Sequence, residues 1–316
     1  MVYGYFLEIC QRFGLRAGFS TSADIIGPGL CQSYWTFKNK KWVKTNNSCF
    51  SPLIFDKFSP INQGIRTRRQ LLFSSPKVKP FNNPDLFNLF FDKQKTYNRL
   101  SKFSIPTITL EERTLKSINL ACQKLTKLLG EHVGCNDFSS DFIMKDRFGA
   151  GGRHIHKFLP NQSAKMLTAV NRNTKVSYVI QPFAIFDKGF SYQNSPASTD
   201  IRLIYLKGKI VQSYIRQAKA GDFRCNEHQG GSLTYLSLNE IPKNLVIKSN
   251  QIAKILDKKC SLFTLDFIIS NSGTPYLLEG NTGPGLDWNM DLPKNEYAAK
   301  KLIRLVVQEL STRANA

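Results

Sequence analysis

The stretch that most constrains the fold is FTLDFIISNSGTPYLLEGN, residues 263–281, in which two apolar runs flank Ser272-Gly273. Two such runs around a short Gly-containing turn predict an antiparallel hairpin. A turn at that point pairs position 266 with 279, 267 with 278 and 269 with 276. Side chains alternate between faces along a strand. Phe267, Ile269, Tyr276 and Leu278 then share an apolar face, and Asp266, Glu279 and Asn281 share the opposite one. Two carboxylates directly across a strand pair repel each other. A hard cation with oxygen ligands removes that cost, and Mg²⁺ commonly takes one or two carboxylates plus substrate phosphates. A polar face turned to water is the other reading of the same pattern.

Around this hairpin the chain alternates helical and strand signals. A helix is expected over 85–102, ending before Ile105-Pro106, because the residue before proline avoids the helical region. Thr109-Leu-Glu-Glu112 has the form of a capping box, and Leu115, Ile118, Cys122, Leu125 and Leu129 follow at helical spacing up to Gly130. Strands are expected at 142–145 and 178–184, a hairpin at 201–206 and 210–215 turning through 207–209, and an amphipathic helix at 296–310. In the first ~85 residues, SPLIFDKF (51–58) reads as a strand and IRTRRQLLFSS (65–75) as a basic helix, within a small α/β domain. Mixed strands and helices with several hairpins indicate α+β, not a doubly wound parallel sheet.

Two further segments carry chemistry. Lys145-Asp-Arg-Phe-Gly149-Ala-Gly151-Gly152-Arg153 puts a lysine at a strand end before three glycines, offering a cation and backbone N–H groups to phosphate. It lacks the Gly-Lys-Ser/Thr of a Walker A loop and the glycine spacing of a dinucleotide fingerprint, and a glycine turn in a hairpin explains it equally well. The segment from Arg216 to Gly231, RQAKAGDFRCNEHQGG, is dense in Arg, Lys, Asn and Gly and suits anion binding. An exposed basic loop or a nucleic-acid contact are its alternatives.

Charge enters here. The chain has 44 Lys+Arg against 23 Asp+Glu, a net +21, with 16 basic and 5 acidic side chains in residues 1–110. That excess suits nucleic acid, a nucleotide or an acidic peptide alike. A 41% hydrophobic content excludes an intrinsically disordered chain. No apolar run approaches the ~20 residues of a membrane helix. The start, with Glu8 inside its apolar stretch and no basic region or cleavage site, does not read as a signal peptide. Seven cysteines (Cys10, Cys31, Cys49, Cys122, Cys135, Cys225, Cys260) without CxxC spacing point to reduced thiols and a cytoplasmic protein.

In this order the three segments resemble the ATP-grasp superfamily, specifically its RimK-type amino-acid ligases. DIRLIYLKGKIV (200–211), RQAKAGDFRCNEHQGG and TLDFIISNSGTPYLLEGNTGPGL (264–286) are similar to the RimK pattern of D-I-R, then R-x-K-x-G-D-F-R-x-N-x-x-x-G-G, then D and E-x-N-x-x-P-G. Asp92-Lys93 with Ile105-Pro106 is similar to the start of the ATP-grasp core, so the likeness spans roughly 90–290. It departs at Gln181-Pro182-Phe183, where the family usually has Gln-Glu-Tyr, and in a longer stretch from Phe186 to Thr199. Trp35, Lys41-Trp42, the LIFDKF run and Arg66–Arg69 are similar to the N-terminal part of YheC/YheD-type ATP-grasp proteins.

The resemblance implies a pre-ATP-grasp domain (1–88) and two α+β subdomains (89–175 and 176–316) clasping ATP. It implies that Lys93 and Lys145 contact the α/β phosphates and that Gly149, Gly151 and Gly152 belong to a lid loop. Gln181, Phe183 and Ala184 would contact adenine, with Asp187 or Asp200 near the ribose. Arg216, Arg224 and Asn226 would hold the transferred phosphate and acyl group, and Asp266, Glu279 and Asn281 would ligate Mg²⁺ (or Mn²⁺). The implied activity is ATP-dependent joining of a carboxylate to an amine through an acylphosphate, on an amino acid or acidic peptide or protein tail. Positioning and charge neutralisation suffice for such a transfer, so no Ser-His-Asp or Cys-His nucleophile is required. His154, His156 and His228 read as lid or loop residues. A non-catalytic nucleotide-binding scaffold on nucleic acid or an anionic polymer is the alternative that the charge supports.

Overall fold

A computed structural model describes residues 2–58, 63–193, 195, 197–256, 261–286 and 292–315. The expected free thiol of Cys260 and the side chain of His228 lie outside the described residues. Two antiparallel sheets organise the α+β architecture, each with its own helical cover.

The first sheet runs in the order Ile155–Phe158, Phe138–Asp146, Tyr178–Ala184 and Ile108–Thr109. The helices Leu115–Gly130 and Ser163–Arg172 cover one face and bury Ile118, Leu125, Met166 and Val170 against Met144 and Ile180. The capping box expected at Thr109–Glu112 does not form. Thr109 is drawn into the sheet opposite Val179, its hydroxyl donates to Gln94 Oε1 at 2.9 Å, and the helix starts later, with Thr114 Oγ1 accepting from the Ser117 amide at 3.1 Å. The single helix expected over 85–102 is two, Pro84–Phe91 and Lys93–Leu100. Asp92 divides them, because its carboxylate caps the second helix through the amides of Gln94 and Lys95.

The second sheet has the order Ser232–Leu236, Lys209–Gln217, Thr199–Leu206, Leu262–Ile269 and Pro275–Asn281. Alternation along Leu262–Ile269 sends Phe263, Leu265, Phe267 and Ile269 into a core shared with the helix Lys243–Leu256 and the pair Pro84–Phe91 and Lys93–Leu100. Leu262 points the other way, into a core closed by the helices Val2–Arg12 and Pro293–Ala314. Phe6, Ile9 and Phe81 therefore pack with Leu302, Ile303 and Val306, and the first 88 residues share an apolar core with the last helix. The strand expected in SPLIFDKF contracts to Leu53–Ile54, paired in parallel with Lys79–Pro80. A separate small core of Ile25, Cys31 and Leu72 joins a three-stranded sheet (Ile25–Gly27, Leu30–Cys31, Cys49–Phe50) to the helix Gln63–Leu72.

The terminal hairpin turns at Ser270–Thr274, with Gly273 at φ +88°. Asp266 faces Glu279 in register, as expected, but Phe267 faces Leu277 and not Leu278. A bulge inserts Leu278, and bulges re-aim side chains. Leu277 takes the core position, while Leu278 turns with Ile268 to the opposite, functional face. Among the described residues no helix is long and apolar enough to cross a membrane.

Candidate active site

A cleft opens where the two sheets meet. Its cationic wall begins with Lys145, the last residue of the strand expected at 142–145 and held between partners Ile155 and Val179. Lys145 is 7% exposed, and burial, reinforced by the charge of Lys93, pushes its ammonium down from 10.5 to about 7. Burial also lowers Lys93, against the opposing pull of Glu279, Asp146 and Asp92. Lys93 Nζ donates to the Gly149 carbonyl. Asp92 anchors this arrangement: while capping the Lys93 helix it accepts two hydrogen bonds from Arg147, both at 2.7 Å. The Lys93 amide in turn donates to the Arg147 carbonyl at 3.1 Å. One carboxylate thus ties the first lysine to the strand that carries the second.

The glycine loop needs its glycines for two distinct reasons. A Cβ on Gly149 would sit 2.7 Å from the Asp146 side chain. Gly152 adopts φ +73° and lies against Asn226, whose Oδ1 would be 2.8 Å from a Cβ there. The loop therefore rests on the 216–231 segment, and Asn226 is part of its seat. Below it, Gln181 Nε2 donates to Thr107 Oγ1 at 2.7 Å. Ile143, Phe186, Ile268 and Leu278 give the cleft an apolar lining, with Phe183 and Phe223 edge-to-face at 5.5 Å.

The opposite wall is a checkerboard of charge set by strand register. Across neighbouring strands, Tyr214, Arg202, Asp266 and Glu279 fall in one row, and Arg216 and Asp200 in the next. Arg216 binds both oxygens of Asp200 at 2.8 Å and reaches Asp266 Oδ2 at 2.9 Å. Arg202 binds Asp266 through Nε and Nη2, meets Tyr214 Oη at 3.2 Å and lies 3.9 Å from Glu279. Burial opposes charge on Asp266, yet Arg202 and Arg216 hold its carboxyl below the usual range. The repulsion between Asp266 and Glu279, which on sequence grounds called for a cation, is thus offset here by guanidinium groups. Glu279 and Asn281 are adjacent, the Asn281 amide donating to Glu279 Oε1 at 3.4 Å. Two carboxylates and an amide oxygen match a hard divalent cation in donor type. A cation at Asp266 has to share its oxygens with the two arginines.

Lys93, Lys145, Gly149, Gly152, Gln181, Phe183, Ala184, Asp200, Arg216, Arg224, Asn226, Asp266 and Glu279 all line this one cleft. Gly151, Asp187 and Asn281 are not part of its lining. Asp187 is exposed and accepts from Asn271 Nδ2 at 2.9 Å. Asp200 lines the cleft and accepts from Arg216 on both oxygens. Arg224 is clasped by Asp222 at 2.8 Å, whose carboxyl this hydrogen bonding lowers to about 2. Sequence reasoning left out Arg202, Thr107 and Asp146. Arg202 was within reach of it, since strand alternation in DIRLIYL places it on the face of Asp200.

The family profile of the RimK-like ATP-grasp domain matches residues 92–306, about two-thirds of the chain. The chain belongs to that family. It is 28% identical over 184 residues to a "Probable alpha-L-glutamate ligase" of Maridesulfovibrio salexigens, covering 57% of this chain and 58% of the relative. A protein of the same name from Shewanella pealeana is 28% identical over 217 residues, covering 68% and 41%. The chain thus spans about half the length of these curated relatives. Among solved structures, D-cycloserine synthetase DcsG superposes with a TM-score of 0.55 at 14% identity, covering 98% of this chain and 93% of that one. D-alanyl-alanine synthetase A of Vibrio cholerae gives 0.56 at 16%, covering 87% of each. These likenesses establish the ATP-grasp fold.

A second cleft adjoins the ATP-grasp cavity. The helix Ser163–Arg172 presents Lys165, Thr168, Ala169 and Arg172 on one face, opposite Gly221–Arg224. Ile155, Phe223 and Arg224 border both clefts.

Proposed function

We propose that the protein is an ATP- and Mg²⁺-dependent (or Mn²⁺-dependent) ligase that joins a carboxylate to an amine. The observation that carries this reading is the convergence on one cleft of two lysines, a glycine loop, two arginines and the Asp266/Glu279 pair. The apolar slot around Phe183 and Ala184 accepts a flat base, and Lys93 and Lys145 face its phosphates. Glu279, Asn281 and Asp266 would hold the divalent ion, which when bound neutralises phosphate charge. Arg216 and Arg224 would orient the transferred phosphoryl group and the carboxylate. A carboxylate oxygen attacks the γ-phosphorus, the bond from that phosphorus to the β–γ bridging oxygen breaks, and ADP leaves. The neutral amine then attacks the carbonyl carbon of the acylphosphate, the C–O bond to the phosphoryl group breaks, and the amide forms with release of phosphate and of the amine's proton. Catalysis of this kind rests on positioning and electrostatic stabilisation.

The substrate carboxylate fits an acidic chain, because the second cleft leads cations at Lys165 and Arg172 toward Arg224. In this reading residues 1–88 precede an ATP-grasp unit whose subdomains are 89–175 and 176–316, acting in the cytoplasm where ATP is supplied. The test is ATP consumption over a panel of amino acids and acidic peptides, with product masses measured. ADP release that depends on the carboxylate and disappears in Asp266→Ala and Glu279→Ala supports the proposal. Release unchanged by both substitutions sinks it. Retardation of nucleic acid with a steep salt dependence and no ATP turnover would favour a basic scaffold instead.

A further inference from the structure

The small N-terminal sheet brings together two cysteines that the proposed ligase chemistry does not use. Cys31, in Leu30–Cys31, and Cys49, in Cys49–Phe50, are direct antiparallel partners. The Ser51 amide donates to the Gly29 carbonyl at 2.9 Å in the same register. Hydrogen-bonded and non-hydrogen-bonded pairs alternate along an antiparallel ladder, so positions 31 and 49 form a hydrogen-bonded pair. Directly opposed residues of that kind have Cα atoms about 5.5 Å apart, inside the roughly 4.4–6.8 Å that a disulfide spans. Both side chains belong to the one small cluster with Ile25 and Leu72. Both are free thiols, Cys31 buried and Cys49 half-buried.

We propose that Cys31 and Cys49 form a redox-responsive pair that a small disulfide, such as glutathione disulfide, converts to an intramolecular cross-link. Cys49, the more accessible, attacks one sulfur of the oxidant as its thiolate and expels the first thiolate. Cys31 then attacks the mixed disulfide at the Cys49 sulfur and expels the second. Two protein thiols are oxidised by two electrons, and one small disulfide is reduced to two thiols that carry away the two protons. Burial raises both protein thiols, with Asp24 adding to the effect on each, so exchange accelerates with pH.

The cross-link fastens a loop whose contents are themselves docked on the fold. Between the cysteines lies the hairpin Tyr34–Lys38 and Lys41–Thr45, which pairs at Trp35 with Phe19 and lays Phe37 against Gly4 of the first helix. On the other side, the Gly29 amide donates to Leu72 at the end of the basic helix at 2.9 Å. From that helix Arg66 lies over the rings of Phe91 and Phe148, at 5.2 and 5.9 Å, and Phe148 adjoins the lid glycine Gly149. Closing a loop of this size stabilises chiefly by restricting the unfolded chain.

The full chain is equilibrated under native conditions in glutathione buffers of graded ratio, alkylated and digested without reduction, and the peptides are weighed. The proposal expects one dominant joined pair containing Cys31 and Cys49, released by dithiothreitol. It expects Cys31→Ser to leave Cys49 as a mixed disulfide with glutathione, and the oxidised wild type to melt above a Cys31→Ser/Cys49→Ser double variant treated alike. Thiols at 31 and 49 that remain alkylatable in the most oxidising buffer overturn it, as does a dominant cross-link between any other two cysteines. Neither result bears on ligase activity.

Discussion

Lys145 allows the reading of the cleft to be tested quantitatively. Burial, with Lys93 close by, lowers its ammonium from 10.5 to about 7. At about 1.36 kcal/mol per pH unit, charging this lysine in the folded protein costs on the order of 5 kcal/mol relative to the unfolded chain. Below about pH 7 it is charged in both states and that cost is fully present. Between about pH 7 and 10.5 the unfolded chain holds the proton and the folded chain does not, so stability of the ligand-free protein rises with pH across this window. Lys145→Met removes the cost and should raise the melting midpoint, more at acid than at alkaline pH. A bound triphosphate supplies the missing anionic partner and restores the charge, so ATP binding above about pH 7 must take up a proton. The dissociation constant for ATP then weakens by up to about tenfold per pH unit above that point. Calorimetry in buffers of different ionisation heat reads the proton uptake and the affinity together. A flat affinity between about pH 7 and 9 with no proton uptake would refute the reasoning, as would a Lys145→Met protein that melts lower yet binds ATP normally.

Three other outcomes follow from the same geometry. Asp200→Asn leaves buried Arg216 with only a share of Asp266, and should cost about 3–5 kcal/mol in urea denaturation; an unchanged midpoint argues against a tight pair. Gly152→Ala imposes about 1–2 kcal/mol of left-handed strain plus a clash with Asn226, and should raise the KM for ATP severalfold. Gly221→Ala, at φ +77° with open space around it, carries strain without the clash and should leave that KM unchanged.

Much of the site was legible because strand alternation and short turns are local rules. The pairing of Asp266 with Glu279 followed from Ser272-Gly273 and a period of two. The same rule failed one residue later, at Leu278, because a bulge answers to packing against the neighbouring helices and the cleft. Thr114 in place of Thr109 as helix cap, and the break at Asp92, have a similar origin. In each case a distant partner, Val179 or Arg147, competes with the local signal.

The sequence by itself determined the alternation that sorts core from charge in the second sheet, the glycines of the loop at 149–152, and the order of motifs that marks an ATP-grasp domain. Only the tertiary structure decided how the charges are satisfied. Arg202 and Arg216 meet Asp266 because the hairpin of Thr199–Leu206 and Lys209–Gln217 comes into register with the sequence-distant strand Leu262–Ile269, and that register depends on long-range packing. Asp187 is sent to Asn271 for the same reason. The chain's ends meet in one core, Phe6 against Leu302, because two amphipathic helices some 290 residues apart are both needed to cover one apolar sheet face.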